Sequence, residues 1–216
     1  MMLPFRTEAD AAAATPQVVT HLRAGGLLAY PTETVYGLGS LATELPLRAL
    51  AALKGRPAKK PFLLLVGSLR MVEETGLELT EAARAMAEAF WPGALTLVLA
   101  GGEGRLPDAL RGPEGGIAVR YTGQRLIAGV VRTLGVPLTS TSANRPGTPP
   151  APGPENIGVL FGDAVADGSL LVLDGGSLGN VPPSTIIDCS TPVARLVREG
   201  AIPRGELRRA VGRLAP

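Results

Sequence analysis

HLRAGGLLAYPTETVYGLG, residues 21–39, carries the pattern that decides the fold. Just ahead of it and into it, Val18, Val19 and Leu22 fall at helical spacing, which predicts a helix over 11–23. Gly25 and Gly26 then end the helix, the apolar run LLAY at 27–30 reads as a strand, and a loop is expected from Pro31. A helix feeding a short apolar strand is the repeating unit of an α/β domain. The alternation continues with a helix over 45–53, closed by Gly55 and Pro57, and the strand FLLLV at 62–66. Helices are predicted at 69–75, 80–90 and 125–134, and strands at 95–99, 117–121 and 137–140. The stretch TSANRPGTPPAPGP, 141–154, is expected to be loop, because its prolines and glycines oppose regular structure. Strands at 170–173, 184–188 and 194–198 cluster in the last third, before a helix from about 204. The expected fold is α/β, built on a mixed twisted open sheet with flanking helices.

At 216 residues with 45% apolar content, the chain can bury one substantial core, and residues 1–216 are expected to form a single domain. The formal net charge of +2 is too small an excess to identify a polyanionic partner alone, so charge has to be read locally. Cys189 is the sole cysteine and His21 the sole histidine, which excludes an intramolecular disulfide and a multi-cysteine zinc site. Chemistry resting on a histidine base or a cysteine nucleophile is therefore not expected. The first residues lack a signal-peptide pattern, and no apolar run is long enough to span a membrane, so the cytoplasm is the expected compartment.

Four segments are candidates for a site, since small polar loops at strand ends are where α/β proteins hold ligands. PTETVYGLG, 31–39, offers three hydroxyls, the tyrosine's among them, a carboxylate and two glycines, although an exposed turn uses the same residues. KGRPAKKP, 54–61, holds all three lysines of the chain, Lys54, Lys59 and Lys60, with Arg56 between them. Four cations without an acid repel one another unless water or an anion compensates them. A solvated loop is one reading; a phosphate chain, met by compact ammonium groups and a planar guanidinium, is the other. In GGIAVRYTG, 115–123, Arg120 shares a strand face with Ala118 and needs a partner, either a structural ion pair or a substrate carboxylate. PLTSTSAN, 137–144, ends a strand in hydroxyls and an amide that either cap a turn or line a polar pocket. No GxxxxGK[ST], HExxH or GxSxG motif is present. A basic, hydroxyl-rich site without histidine or cysteine points to phosphoryl or nucleotidyl transfer, where catalysis is positioning and charge stabilisation.

Taken together, PTETVYGLG, the KxR stretch at 54–61, FWPGALTLVL at 90–99, IAVR at 117–120, PLTSTSAN, DGG with STIID over 174–188, and LVREG at 196–200 resemble the YrdC family in order and across nearly the whole chain. The resemblance implies a concave, basic face and the synthesis of L-threonylcarbamoyl-AMP and pyrophosphate from L-threonine, bicarbonate and ATP. A separate transferase complex would then take the threonylcarbamoyl group to adenosine 37 of tRNA. Carried over by position, the threonine pocket falls on Thr34, Arg120, Ser140 and Ser184, with Arg120 on the carboxylate. ATP falls to Lys54, Arg56, Lys60, Ser142, Asn144, Arg198 and the Gly116 backbone, and Lys54 and Arg56 are the expected catalytic residues. Mg²⁺ is expected to arrive with ATP, held mainly by phosphate oxygens and water rather than by a protein cage.

Two positions depart from the family pattern. The region where some relatives carry a histidine reads LLLVG, with Leu65 nearest that position, and TGQRL at 122–126 stands where a histidine-proline pair is common. The chain ends soon after LVREG, so the additional C-terminal domain of longer relatives is not expected. A double-stranded RNA or tRNA contact through phosphates on the basic face is the competing expectation, and stacking on single strands is disfavoured by an aromatic content of 4%. A carbamoyl-phosphate-handling domain of hydrogenase maturation proteins is a further alternative, weakened by the single cysteine.

Overall fold

The computed structural model describes residues 1–55, 61–179, 181–212 and 214–215. In chain order the elements are β1 (Met2–Pro4), α1 (Glu8–Arg23), β2 (Leu27–Pro31), β3 (Tyr36–Gly39), α2 (Glu44–Lys54), β4 (Leu63–Val66), α3 (Leu69–Glu74), α4 (Glu81–Phe90) and β5 (Leu95–Leu99). They continue with β6 (Ile117–Tyr121), α5 (Arg125–Leu134), β7 (Leu138–Ser142), α6 (Pro154–Leu160), α7 (Gly162–Ala166), β8 (Leu170–Asp174), β9 (Thr185–Asp188), β10 (Arg195–Arg198) and α8 (Arg204–Val211). Among the described residues all strands join one sheet in the order β1-β8-β2-β3-β7-β4-β6-β5-β9-β10. The pairing is mixed: β8 is parallel to β1 and β2, β4 to β6 and β5 to β9, and the other neighbours are antiparallel.

Local chemistry accounts for the element ends. Thr7 caps α1 by accepting from the Asp10 N–H, while Asp10 accepts from the Thr7 N–H, a reciprocal box that satisfies two orphan donors. Gly55 ends α2 in the left-handed region at φ 61, which a side chain would resist. The central strands then sort their residues by alternation. On β5 and β6, Leu95, Leu97, Leu99, Ile117 and Val119 are fully buried in the core, whereas Thr96, Val98, Ala118 and Arg120 line a cavity. At β5 and β6 one face of the sheet is therefore core and the other is the floor of a cleft.

The mixed sheet and flanking helices expected from the alternation are present, with two corrections. The segment after Pro31 is not simply a loop: β2 runs through Pro31, the chain turns over 32–35, and β3 pairs back with Leu28–Pro31. The stretch 141–154 is not all loop either, since Thr141 and Ser142 finish β7 and Pro154 opens α6. Proline is favoured in the first helical turn, where it lacks only an N–H that would be orphaned anyway.

Candidate functional site

The cleft holds a cavity of about 990 Å³, large enough for a nucleotide together with a small second substrate. At one end it is lined by the 32–35 turn, β6 and the start of β9; at the other by the end of α2 and the loop after β7.

The first end is organised around Arg120, whose residue is only 5% exposed. Its Nε donates to the Gly93 carbonyl at 3.2 Å and its Nη1 to Thr34 Oγ1 at 3.3 Å. Its Nη2 lies 2.9 Å from Glu33 Oε1, an ionic contact whose N–H bonds are not aligned on the oxygen, so this buried nitrogen has no hydrogen-bond partner among the described residues. Glu33 is in turn held by the Thr122 hydroxyl at 2.5 Å and the Gly123 N–H at 2.8 Å. Burial opposes its ionisation, but the Arg120 charge, the Thr122 hydroxyl and the Gly123 N–H outweigh it and hold the carboxyl below its ordinary range. The Thr34 hydroxyl sits 3.1 Å from that of Thr32, which donates to the Val35 carbonyl and so shapes the turn.

Ser184 and Arg198 close the same end. Ser184 Oγ shares a hydrogen bond of 2.9 Å with Thr96 Oγ1, and Arg198 Nη2 donates to the Ser184 carbonyl at 2.7 Å. Burial, and then the neighbouring Arg120 charge, lower the Arg198 pKa. Such a pair of guanidinium groups favours an incoming anion, which offsets the repulsion between them.

At the other end the Lys54 ammonium, buried at the last residue of α2, donates to the Ser142 carbonyl, to the Asn144 carbonyl at 2.7 Å and to Asn144 Oδ1. Ser142 Oγ donates to the same Asn144 Oδ1 at 2.7 Å. Ser140 and Ser142, two residues apart on β7, both line the cavity. Gly116 lies at the entrance to β6, where an added Cβ would come 2.5 Å from Val98 Cγ1, so the backbone there is reachable because the residue is glycine. Arg195 also lines the cavity, but it bridges Glu114 and Asp188 at 2.9 Å each. Its charge is consequently spent within the protein.

The structure thus gathers Thr34, Lys54, Gly116, Arg120, Ser140, Ser142, Asn144, Ser184 and Arg198 around one cavity. Arg56, Lys59 and Lys60 lie outside the described residues. Sequence reasoning gave Glu33 no role and missed Thr96 and the Glu114–Arg195–Asp188 bridge. The lone arginine in an apolar strand called for a partner, and the acid of the 31–39 segment is its ionic one. Among the described residues no group of three or more histidine, cysteine, aspartate and glutamate side chains is arranged to hold a metal.

The Glu33 carboxyl gives a pH prediction. Because its folded pKa is depressed, its contribution to stability is present above the ordinary carboxyl value of 4.5 and is lost as pH falls through the folded value. In Glu33→Gln that part of the acid sensitivity should disappear. Urea midpoints between about pH 6 and pH 3 should fall less steeply for the variant than for the wild type, and identical slopes would contradict the assignment.

A family model for Sua5, YciO and YrdC proteins, described as telomere recombination, matches residues 20–200. The threonylcarbamoyl-AMP synthase of Thiobacillus denitrificans is 38% identical over 179 residues, covering 82% of this chain and 92% of that protein. That of Chromohalobacter salexigens is 40% identical over 173 residues, covering 79% and 89%. Among solved structures, Pyrococcus abyssi Sua5 complexed with L-threonine superimposes with a TM-score of 0.89 at 30% identity, over 100% of this chain and 63% of that one. No helix among the described residues is long and apolar enough to cross a membrane.

Proposed function

Since the chain belongs to the Sua5, YciO and YrdC family, we propose that it is an L-threonylcarbamoyladenylate synthase, an ATP-dependent nucleotidyltransferase acting in tRNA threonylcarbamoyladenosine modification. The observation that carries the reading is Arg120, a cation that lines the cavity and whose buried Nη2 has no aligned acceptor among the described residues, beside Arg198 and two clusters of hydroxyl groups. A substrate carboxylate meeting the guanidinium from the cavity shares its charge with Glu33, which Thr122 and Gly123 hold to one side.

The reaction joins L-threonine, bicarbonate and ATP. Threonine is first carboxylated on nitrogen by bicarbonate with loss of water; a carbamate oxygen then attacks the α-phosphorus of ATP and the bond to the β-phosphate breaks. The products are L-threonylcarbamoyl-AMP and pyrophosphate. Arg120 and Thr34 hold the threonine carboxylate, with Ser140 and Ser184 completing that end. Ser142, Asn144, Arg198, the Gly116 backbone, Lys54, Arg56 and Lys60 serve the nucleotide. Mg²⁺ bound to ATP would offset phosphate charge and would be held by substrate oxygens and water, since the cavity acids Glu114 and Asp188 are already occupied by Arg195. The carbamate reacts as an anion, so no protein base is assigned. The reactive product passes in the cytoplasm to the transferase complex that modifies tRNA.

Ser184→Ala separates the two ends of the site. Calorimetric titration should show L-threonine weakened by about tenfold, the scale of one lost hydrogen bond at a charged ligand, with a non-hydrolysable ATP analogue changed less than about twofold. Equal weakening of both ligands would contradict the threonine pocket, and no binding of threonine by the wild type would overturn the proposed function.

A further inference from the structure

Arg145 follows Asn144 directly and is exposed, yet both terminal nitrogens of its guanidinium are engaged. Nη1 donates to the Leu53 carbonyl at 2.9 Å and Nη2 to the Leu160 carbonyl at 2.8 Å. The guanidinium carbon also lies 4.8 Å from the centre of the Phe161 ring. Leu53 is in the last turn of α2 and Leu160 ends α6, so one cation satisfies carbonyl groups at the negative ends of two helices. Its own carbonyl accepts from the Thr148 N–H and hydroxyl, at 3.2 and 3.0 Å, which folds the loop back on itself.

The contact with α2 is reciprocal. From the helix, the Lys54 side chain reaches the carbonyls and amide oxygen of Ser142 and Asn144; from the loop, the Arg145 side chain reaches back to Leu53. Gly55 N–H occupies the Ala51 and Ala52 carbonyls, so Arg145 serves the next carbonyl along the helix end. Neither the cavity nor any substrate position is needed to explain Arg145, since Arg145 is absent from the cavity lining.

We propose that Arg145 is a positioning residue for the nucleotide end of the site, holding Ser142 and Asn144 in register with the end of α2 by clasping the Leu53 and Leu160 carbonyls. The inference rests on the functional reading only in naming ATP as the ligand. Both carbonyls are near solvent and can turn to water when the arginine is removed, so the fold survives the change while the loop loses its register.

The test is binding of α,β-methylene-ATP and of L-threonine, each by calorimetry, to wild type, Arg145→Ala, Arg145→Lys, Asn144→Ala and the double variant Arg145→Ala with Asn144→Ala. Arg145→Ala should weaken the nucleotide roughly fivefold to tenfold and leave threonine within about twofold. Arg145→Lys, which keeps the charge and reaches one carbonyl, should fall between. In the Asn144→Ala background the Arg145→Ala effect should largely vanish, because both act through one loop. Unchanged nucleotide binding in Arg145→Ala, or an effect that simply adds to that of Asn144→Ala, would overturn the proposal and leave Arg145 a surface staple. A thermal midpoint for each variant separates the two cases, since general loosening lowers both affinities together. If the wild type binds the analogue but releases no pyrophosphate with threonine, the synthase reading fails and the positioning result still stands on binding alone.

Discussion

Arg120→Lys should raise the threonine concentration for half-maximal turnover by about a hundredfold while leaving the protein folded. Arginine at this position spends its fork on three directions at once, toward Gly93, Thr34 and the Glu33 side. A lysine keeps the charge that compensates Glu33 but presents one compact ammonium group, so it cannot hold those contacts and grip a carboxylate with two parallel bonds. Two charge-assisted bonds lost at about 1.5 kcal/mol each amount to about 3 kcal/mol, or roughly two decades in affinity. Lysine is the informative variant because alanine would leave the Glu33 carboxylate partly buried and unpaired, a change that costs about 3–5 kcal/mol of fold stability in comparable sites. Steady-state kinetics at saturating ATP checks the expectation. A threonine requirement unchanged in Arg120→Lys would remove Arg120 from the carboxylate site.

Lys54→Met carries the second large expectation, a fall in turnover of about one to two decades expressed mainly as weaker use of ATP. Methionine fills a similar volume, so the packing at the end of α2 is retained and only the ammonium is lost. With it go the bonds to Ser142 and to both oxygens of Asn144, and the positive charge that those oxygens hold beside the cavity. The phosphate end then loses both its field and the order of its loop. Kinetics with ATP varied at saturating threonine reads the effect; equal and small changes in both substrate requirements would contradict it. Sequence reasoning expected Lys54 to meet phosphate directly. The structure adds that its ammonium organises the Ser142–Asn144 loop.

Much of the cavity lining was legible because its residues lie in strands and strand ends. Arg120 stood out as a cation in an apolar alternation, and it does share the cavity face with Ala118. The serines of PLTSTSAN announced themselves by number, and two-residue spacing brings Ser140 and Ser142 to the same face. What stayed hidden depends on approach between distant segments. β3 was read as loop because Gly37 and Gly39 are weak strand formers, yet both are needed. A Cβ on Gly37 would lie 3.0 Å from the Tyr30 ring and 3.3 Å from Ser140 Oγ, and one on Gly39 would overlap the Thr139 carbonyl. Glycine here marks a close crossing of strands, not a break. Glu33 was passed over for a related reason: its partner is distant in sequence, and no spacing rule links the 32–35 turn to β6. Arg145 carries no signal of its own in the sequence, because the carbonyls it serves belong to helix ends that only the fold brings to it.

The central claim is that one cavity couples an amino acid carboxylate at the Arg120 end to phosphoryl chemistry at the Lys54 end. Its most direct test is pyrophosphate release from ATP and Mg²⁺, measured with L-threonine and bicarbonate each omitted in turn. Release that requires both together is the predicted result. Release that proceeds equally without threonine would contradict the coupling and leave the cavity a nucleotide site with some other acceptor.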